Sequence, residues 1–384
     1  MSLGIYIQVP FCQTRCTYCN FHTGVVARDR YQPYANAVTR EIRETFAAPT
    51  LRIAPATAID SLYFGGGTPS LLEPQALAQI IDALRAATTF APTPEITLEA
   101  DPETITSEKA HAWREAGFNR ISLGVQSFID KELQAAGRMH RREHIAQAAS
   151  TLRAAGLSNI SFDLIAGLAH QTAASWSESL EQLIAAAPEH VSIYMLEVDE
   201  GSRLGKELLT SGTRYSAADV PSPDESSDFY DRACERLATA GYEHYEISNW
   251  AKSGHRSRHN LKYWQRAPYL GFGAGAHSFD GTERWANLHD PAEYARRIEE
   301  GISTREQVEP VTREQALEEE IFLGLRQLDG IDFSRIEKNY DAAELRKRVD
   351  TLTSEGLLEK SGATVRLSPS RLAVSNEIFA ELLT

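Results

Sequence analysis

Gly4-Ile-Tyr-Ile-Gln-Val-Pro-Phe-Cys12-Gln-Thr-Arg-Cys16-Thr-Tyr-Cys19-Asn-Phe-His22 is the stretch from which the rest of the chain can be read. An apolar run over 5–9, broken only by Gln8, stops at Pro10 and passes at once into three cysteines spaced C-x3-C-x2-C. Three thiolates on one short loop can hold three corners of a cubane iron–sulfur cluster, which leaves the fourth corner to an exchangeable small molecule. A tetrahedral zinc site needs a fourth ligand, which His22 supplies in the rival reading. A third reading is three unrelated buried thiols, and the clustering of three of the chain's four cysteines speaks against it.

The rest of the composition narrows the class. The chain has 384 residues, 42% of them hydrophobic, and a net charge of −14. That length holds one large domain and one or two small ones. The acidic balance makes it a poor non-specific partner for nucleic acid. The N-terminus enters the first strand with no charged and apolar leader pattern, so no signal peptide is expected. No apolar run approaches the roughly 20 residues that span a bilayer. Three clustered cysteines plus Cys234 make no disulfide framework and point to a reducing compartment, the cytoplasm.

Six short runs at 5–9, 61–64, 96–99, 120–125, 160–165 and 191–196 are largely apolar, as strands buried on both faces are. Amphipathic segments at 34–46, 74–88, 107–116, 143–155 and 175–186 alternate with them, and Gly117 and Gly156 stand where a helix C-cap belongs. The alternation predicts an α/β fold: a partial (β/α)6 TIM-like barrel of parallel strands, with a doubly wound sheet as the other architecture. Barrel chemistry gathers at the carboxyl ends of strands. Those ends carry the cysteine loop, Gly65-Gly66-Gly67-Thr68, Glu99-Ala-Asp101, Gln126, Asp163 with Gly167, and Glu197. Read alone, the triple glycine is a tight turn and each carboxylate a solvated or capping group. At adjacent strand ends beside a cluster loop, the same residues read as a ligand mouth.

Beyond Glu197 the alternation fades. Residues 198–223 read as a loop or lid, and a helix over 224–240 carries Cys234 on an apolar stripe, as a core thiol. A region dense in aromatics, His and Gly follows, with His259-Asn-Leu-Lys-Tyr263-Trp264 and Leu270-Gly-Phe-Gly-Ala-Gly-Ala-His277. It reads either as a loop packed under the barrel or as a flat apolar pocket fit for a tetrapyrrole. The last stretch predicts helices over 314–328, 333–340, 342–355 and 372–383 with a two-stranded wing at 356–367. That is a winged-helix-like module, read as a packing or interaction domain because Glu318-Glu-Glu is unsuited to DNA. The expected division is 1–240, 241–309 and 310–384.

The cysteine spacing with Tyr18 before Cys19 resembles the radical S-adenosylmethionine (SAM) superfamily. Tyr63-Phe-Gly-Gly-Gly-Thr-Pro-Ser, Ile121-Ser-Leu-Gly-Val-Gln-Ser-Phe, Phe162-Asp-Leu-Ile-Ala-Gly-Leu, the 259–264 hexapeptide and Leu270-Gly-Phe-Gly-Ala-Gly-Ala-His-Ser are similar to the oxygen-independent coproporphyrinogen III oxidase-like group. The resemblance implies a radical SAM barrel, a [4Fe–4S] cluster on Cys12, Cys16 and Cys19, and SAM contacts from Tyr6, Tyr18, Gly66 and Glu99. Gly67, Thr68, Gln126, Arg138 and Asp163 match contacts to a second SAM in the oxidase. The oxidase has a further cysteine where this chain has Phe21, and a long extension before its first strand, which begins here near residue 5. Both departures, and the 259–264 motif, favour the group's heme-chaperone branch, with His259 as the expected heme ligand and His277 as a second candidate. That branch implies heme or a porphyrin, acceptor heme proteins and an electron donor as partners. The alternative is radical decarboxylation of coproporphyrinogen III, and a weaker third is radical methylation or opening of a porphyrin.

Overall fold

The computed structural model describes residues 2–20, 22–49, 52–53 and 57–383; the Phe21 position lies outside them. Six parallel strands run in chain order: β1 (Leu3–Val9), β2 (Ile59–Gly66), β3 (Phe90–Ala100), β4 (Arg120–Gln126), β5 (Ile160–Ala166) and β6 (His190–Met195). The connections carry helices α1 (Tyr31–Ala47), α2 (Pro74–Ala87), α3 (Ser107–Ala116), α4 (Asp130–Ala135), α5 (Arg142–Ala154) and α6 (Ala173–Ala186). Each strand pairs with its chain neighbour, 1-2-3-4-5-6, without the reversal of order that defines a doubly wound sheet. The partial (β/α)6 barrel is therefore the architecture.

Side-chain alternation along β1 shows why the sheet has two different faces. Ile5, Ile7 and Val9 are fully buried, as are Leu62, Leu98 and Ile121 on the next three strands. Tyr6 and Gln8 point to the other face, in register with Tyr63 and Gly65 of β2. Tyr63 in turn stands beside Thr97, Glu99 beside Ser122, and Asp163 beside Ser192. A closed TIM barrel fills its interior with branched apolar residues. This one is open and lined with hydroxyls, amides and carboxylates.

The sheet continues past both edges of the six-strand unit to twelve strands. After α7 (Arg203–Leu209) and α8 (Pro223–Thr239), β7 (Glu243–Glu246) and β8 (Asn249–Ala251) add antiparallel strands to β6. Thus 198–223 holds a helix, α7, where the sequence predicts only loop. Its start is set by the Ser202 side chain, which accepts the Gly205 N–H. Next comes α9 (Arg258–Trp264), and then β9 (Tyr269–Phe272), parallel to β1 on its free edge. β10 (His277–Phe279) and β11 (Glu283–Asn287) continue antiparallel; after α10 (Pro291–Glu300), β12 (Arg305–Pro310) closes that side.

The remaining chain builds α11 (Arg313–Leu325), β13 (Ile331–Asp332), α12 (Phe333–Asn339), α13 (Ala343–Ser354), β14 (Leu358–Ser361), β15 (Thr364–Leu367) and α14 (Ser375–Leu383). The wing is three-stranded, in the order β13-β15-β14. This module is tied to the sheet by the Ile247 N–H to Arg326 carbonyl bond (3.1 Å), and by Arg266 pairing with Glu319 (2.6 Å). No helix among the described residues is long and apolar enough to cross a membrane.

Candidate functional site

The cysteine loop leaves β1 at the carboxyl end of the sheet and is stitched in place by backbone bonds. Cys12 N–H reaches the Gly24 carbonyl (3.0 Å), and Gly24 N–H returns to Pro10 (2.9 Å). Thr68 N–H donates to the Phe11 carbonyl at 2.7 Å, which joins the loop to the end of β2. Gly67 is needed at that crossing: a Cβ there would stand 2.5 Å from the Phe11 oxygen. Thr17 N–H bonds to Ala136 (3.1 Å) just after α4, and Leu204 N–H of α7 bonds to Thr17 (2.8 Å). Cys12, Cys16 and Cys19 are partly buried thiols, and burial pushes the Cys12 thiol up from its ordinary range. Arg138 donates from Nη1 to the Cys16 Sγ at 3.6 Å and from Nη2 to the Gly124 carbonyl at 2.9 Å, and it pairs with Asp101. Asp101 also accepts from Thr68 Oγ1 at 3.2 Å.

Next to this loop, Glu99 accepts from Tyr63 OH (2.8 Å) and from the Gly66 N–H (3.1 Å). Gly66 turns through the left-handed region, with φ of +112°. Burial raises the Glu99 carboxyl to about 7; the Tyr63 bond opposes this and the Asp163 charge adds to it. Tyr6 donates to the Gln8 side chain at 2.8 Å. Asp163 accepts from Ser122 (2.9 Å) and Ser161 (3.1 Å), and burial raises it too. Gln126, at the end of β4, has φ of +63°, an uncommon state for a non-glycine residue and one that gathers at ligand sites. Tyr18 packs against the small cluster of Ala136, Ile165 and Leu168. The structure thus brings together at one mouth the residues that the sequence assigns to cluster and SAM.

An open cavity of about 640 Å³ extends from this mouth, within the roughly 300–1,000 Å³ of small-molecule sites. It is lined by Tyr6, Gln8, Gly66 and Glu99 from the sheet, by Tyr263, Tyr269, Gly275, His277 and His289 from the later chain, and by Asn20 and His22 just after the cysteines. His259 is not part of the lining. It is 1% exposed, with Nδ1 3.0 Å from Ser61 Oγ and Nε2 2.9 Å from Tyr263 OH. Glu95 accepts the Arg258 and His259 N–H groups (3.2 and 3.1 Å), which holds the start of α9 against β3. Burial, with the Lys262 charge beside it, pulls the His259 imidazole down to about 3. In this arrangement both ring nitrogens of His259, the heme ligand expected from the sequence, are engaged in hydrogen bonds. Trp264 also faces away, under the Arg326 guanidinium at 4.4 Å, whereas Tyr263 does reach the cavity.

The Radical SAM superfamily model matches residues 6–183, and the HemN C-terminal domain model matches 311–370. A relative from Synechocystis, "Heme chaperone HemW", is 36% identical over 93% of this chain and 85% of its own. Its namesake from Bacillus subtilis is 33% identical over 98% of both. This chain belongs to the HemW family of the radical SAM superfamily. The coproporphyrinogen III oxidase HemN from Escherichia coli superposes with a TM-score of 0.83 at 23% identity, over 100% of this chain and 90% of the other, a likeness of fold.

Radical SAM membership brings a [4Fe–4S] cluster and SAM. The donor set fits: three thiols on a pinned loop, a guanidinium at one of them, and a glycine where the loop meets β2. Among the described residues no three Cys, His, Asp or Glu side chains converge tightly enough for a single metal ion. Cys234 lies on α8, partly buried against the core, and burial pushes its thiol up to about 12, as suits a structural residue.

Sequence reasoning missed Glu41. From α1 it accepts the Gly273 N–H (2.9 Å), Tyr294 OH (2.6 Å) and the Asn287 amide (2.6 Å), and so anchors the glycine-rich segment behind His277. It also passed over Asp101 as the partner of Arg138, a pair formed across 37 positions of sequence. A charge in the middle of a helix reads as surface, and nothing local marks either pairing.

Proposed function

We propose that this chain is a heme chaperone of the radical SAM type, which binds heme and passes it to acceptor heme proteins. The observation that carries the reading is one cavity lined both by Gly66 and Glu99, at the mouth assigned to SAM, and by Tyr263, Tyr269, His277 and His289. Aromatic rings give apolar faces to a flat macrocycle, and imidazoles give iron a ligand. The names of the full-length relatives agree with this use.

When bound, the cluster supplies one electron to SAM at an open iron site. Cys12, Cys16 and Cys19 would hold it. Arg138, held by its pair with Asp101, would aim a guanidinium N–H at the Cys16 sulfur. Glu99 and the Gly66 backbone would hold SAM polar groups; Gly67, Thr68, Gln126 and Asp163 line up for further polar contacts. An external electron donor and an acceptor heme protein complete the scheme, in the cytoplasm, where the four thiols stay reduced.

Anaerobic hemin titration of the reconstituted protein, followed by transfer to an apo-hemoprotein, tests this. About one heme per chain, released to the acceptor, is the expected result. No binding, with decarboxylation of coproporphyrinogen III instead, would replace the reading with the oxidase one.

A further inference from the structure

Three histidines, His22, His277 and His289, line the cavity, and among the described residues none of their rings makes a hydrogen bond. The His22 and His289 rings lie 4.0 Å apart, and His289 Nδ1 is buried without a partner. Gly275 makes room for this group, since a Cβ there would come 3.0 Å from that nitrogen. His277 starts β10 and pairs with Ala286 of β11, so its backbone is fixed by the sheet while its side chain is exposed to the cavity.

The contrast with His259 is one of availability. An axial ligand must offer a nitrogen lone pair, and a neutral imidazole has one such nitrogen. At His259 both nitrogens are used, by Ser61 and Tyr263, on a ring stacked behind Tyr63 at 5.1 Å. To reach a heme it would have to break both bonds and pass Tyr263. We propose that the heme iron is ligated by His277, on the cavity wall completed by His22 and His289, and that His259 instead positions Tyr263 from behind. This deepens the heme-chaperone reading and rests on it.

The place of the cavity adds a consequence. Heme bound at His277 would share one space with Gly66 and Glu99, so SAM and heme would lie next to each other rather than at separate ends of the sheet.

The test is an anaerobic hemin titration of the full chain, read by Soret absorbance and by resonance Raman, with folding checked by near-ultraviolet circular dichroism. His277→Ala should weaken hemin binding at least ten-fold and move the Soret band. His277→Met should bind with the spectrum of a changed axial donor, which decides the matter even where the alanine variant fails to fold. His259→Asn should keep the wild-type band. Hemin binding and spectra unchanged by both His277 substitutions would overturn the assignment while leaving the chaperone reading in place. A wild type that binds no hemin would overturn the chaperone reading itself, and this assignment with it.

Discussion

Glu41 accepts the Gly273 N–H at 2.9 Å, a bond that spans 232 positions of sequence and ties the first helix to the segment that carries His277. The same carboxylate takes Tyr294 OH and the Asn287 amide, so one buried side chain organises three donors. Glu41→Ala leaves the Gly273 N–H and Tyr294 OH without a partner, while the Asn287 amide keeps the Gly273 carbonyl at 3.0 Å, and should cost about 2 kcal/mol or more, at roughly 1–3 kcal/mol for each stranded buried group. Urea unfolding measures it; a loss below about 1 kcal/mol would mean that water replaces the carboxylate.

The Glu41 carboxyl is raised by burial to about 7. Between the ordinary carboxylate range near 4.3 and that value, the folded chain keeps a proton that the unfolded chain has lost. The stability this group contributes is therefore full below about pH 4 and falls as pH rises through 7. The stability gap between wild type and Glu41→Gln should shift against wild type by about 1–3 kcal/mol from pH 5 to pH 8. A gap that does not move with pH contradicts the raised carboxyl.

Glu99 lies at about 7 as well, but its proposed role in holding SAM predicts a ligand effect. Glu99 accepts hydroxyl donors more strongly when ionised, so lowering pH from 8 to 6 should weaken SAM binding by up to about ten-fold through this group. Glu99→Gln should be weaker at pH 8 by about ten-fold and should lose that part of the pH dependence, with iron content unchanged. Calorimetry of both proteins at both pH values checks it, and parallel pH profiles would remove Glu99 from the SAM site.

The cysteines divide into two kinds. Cys16→Ala should abolish the cluster, because two thiolates do not hold a cubane against solvent. Cys234→Ala should keep full iron content and cost roughly 1–2 kcal/mol for a small, partly buried side chain. Iron analysis after anaerobic reconstitution separates them; a Cys234 variant that loses iron would refute its structural role.

Much of the six-strand unit was legible because its strands and helices carry strong local signals. The 5–9 run, the helix at Ser107–Ala116 and its C-cap Gly117 in the left-handed region stand where the pattern places them. The sheet's extensions were not legible. β8 and β10 have three residues each, and β12 is exposed along its whole length, so none shows an apolar period. The polar inner face was legible as a set of strand-end residues, but not which of them stand side by side, since Tyr6, Glu99 and Asp163 come from different strands and meet only through register. The motif at 259–264 shows the limit best. The sequence shows that His259 and Tyr263 are one helical turn apart, and not that the turn faces Ser61 and closes around the histidine.

The most direct test of heme handling is a paired anaerobic assay on one reconstituted preparation, with SAM and a reductant present. In one arm hemin is titrated and then offered to an apo-hemoprotein; in the other, coproporphyrinogen III is supplied and protoporphyrinogen is sought. The account predicts about one heme bound per chain and delivered to the acceptor, with no protoporphyrinogen formed. Protoporphyrinogen produced by protein that neither binds nor transfers heme would contradict it.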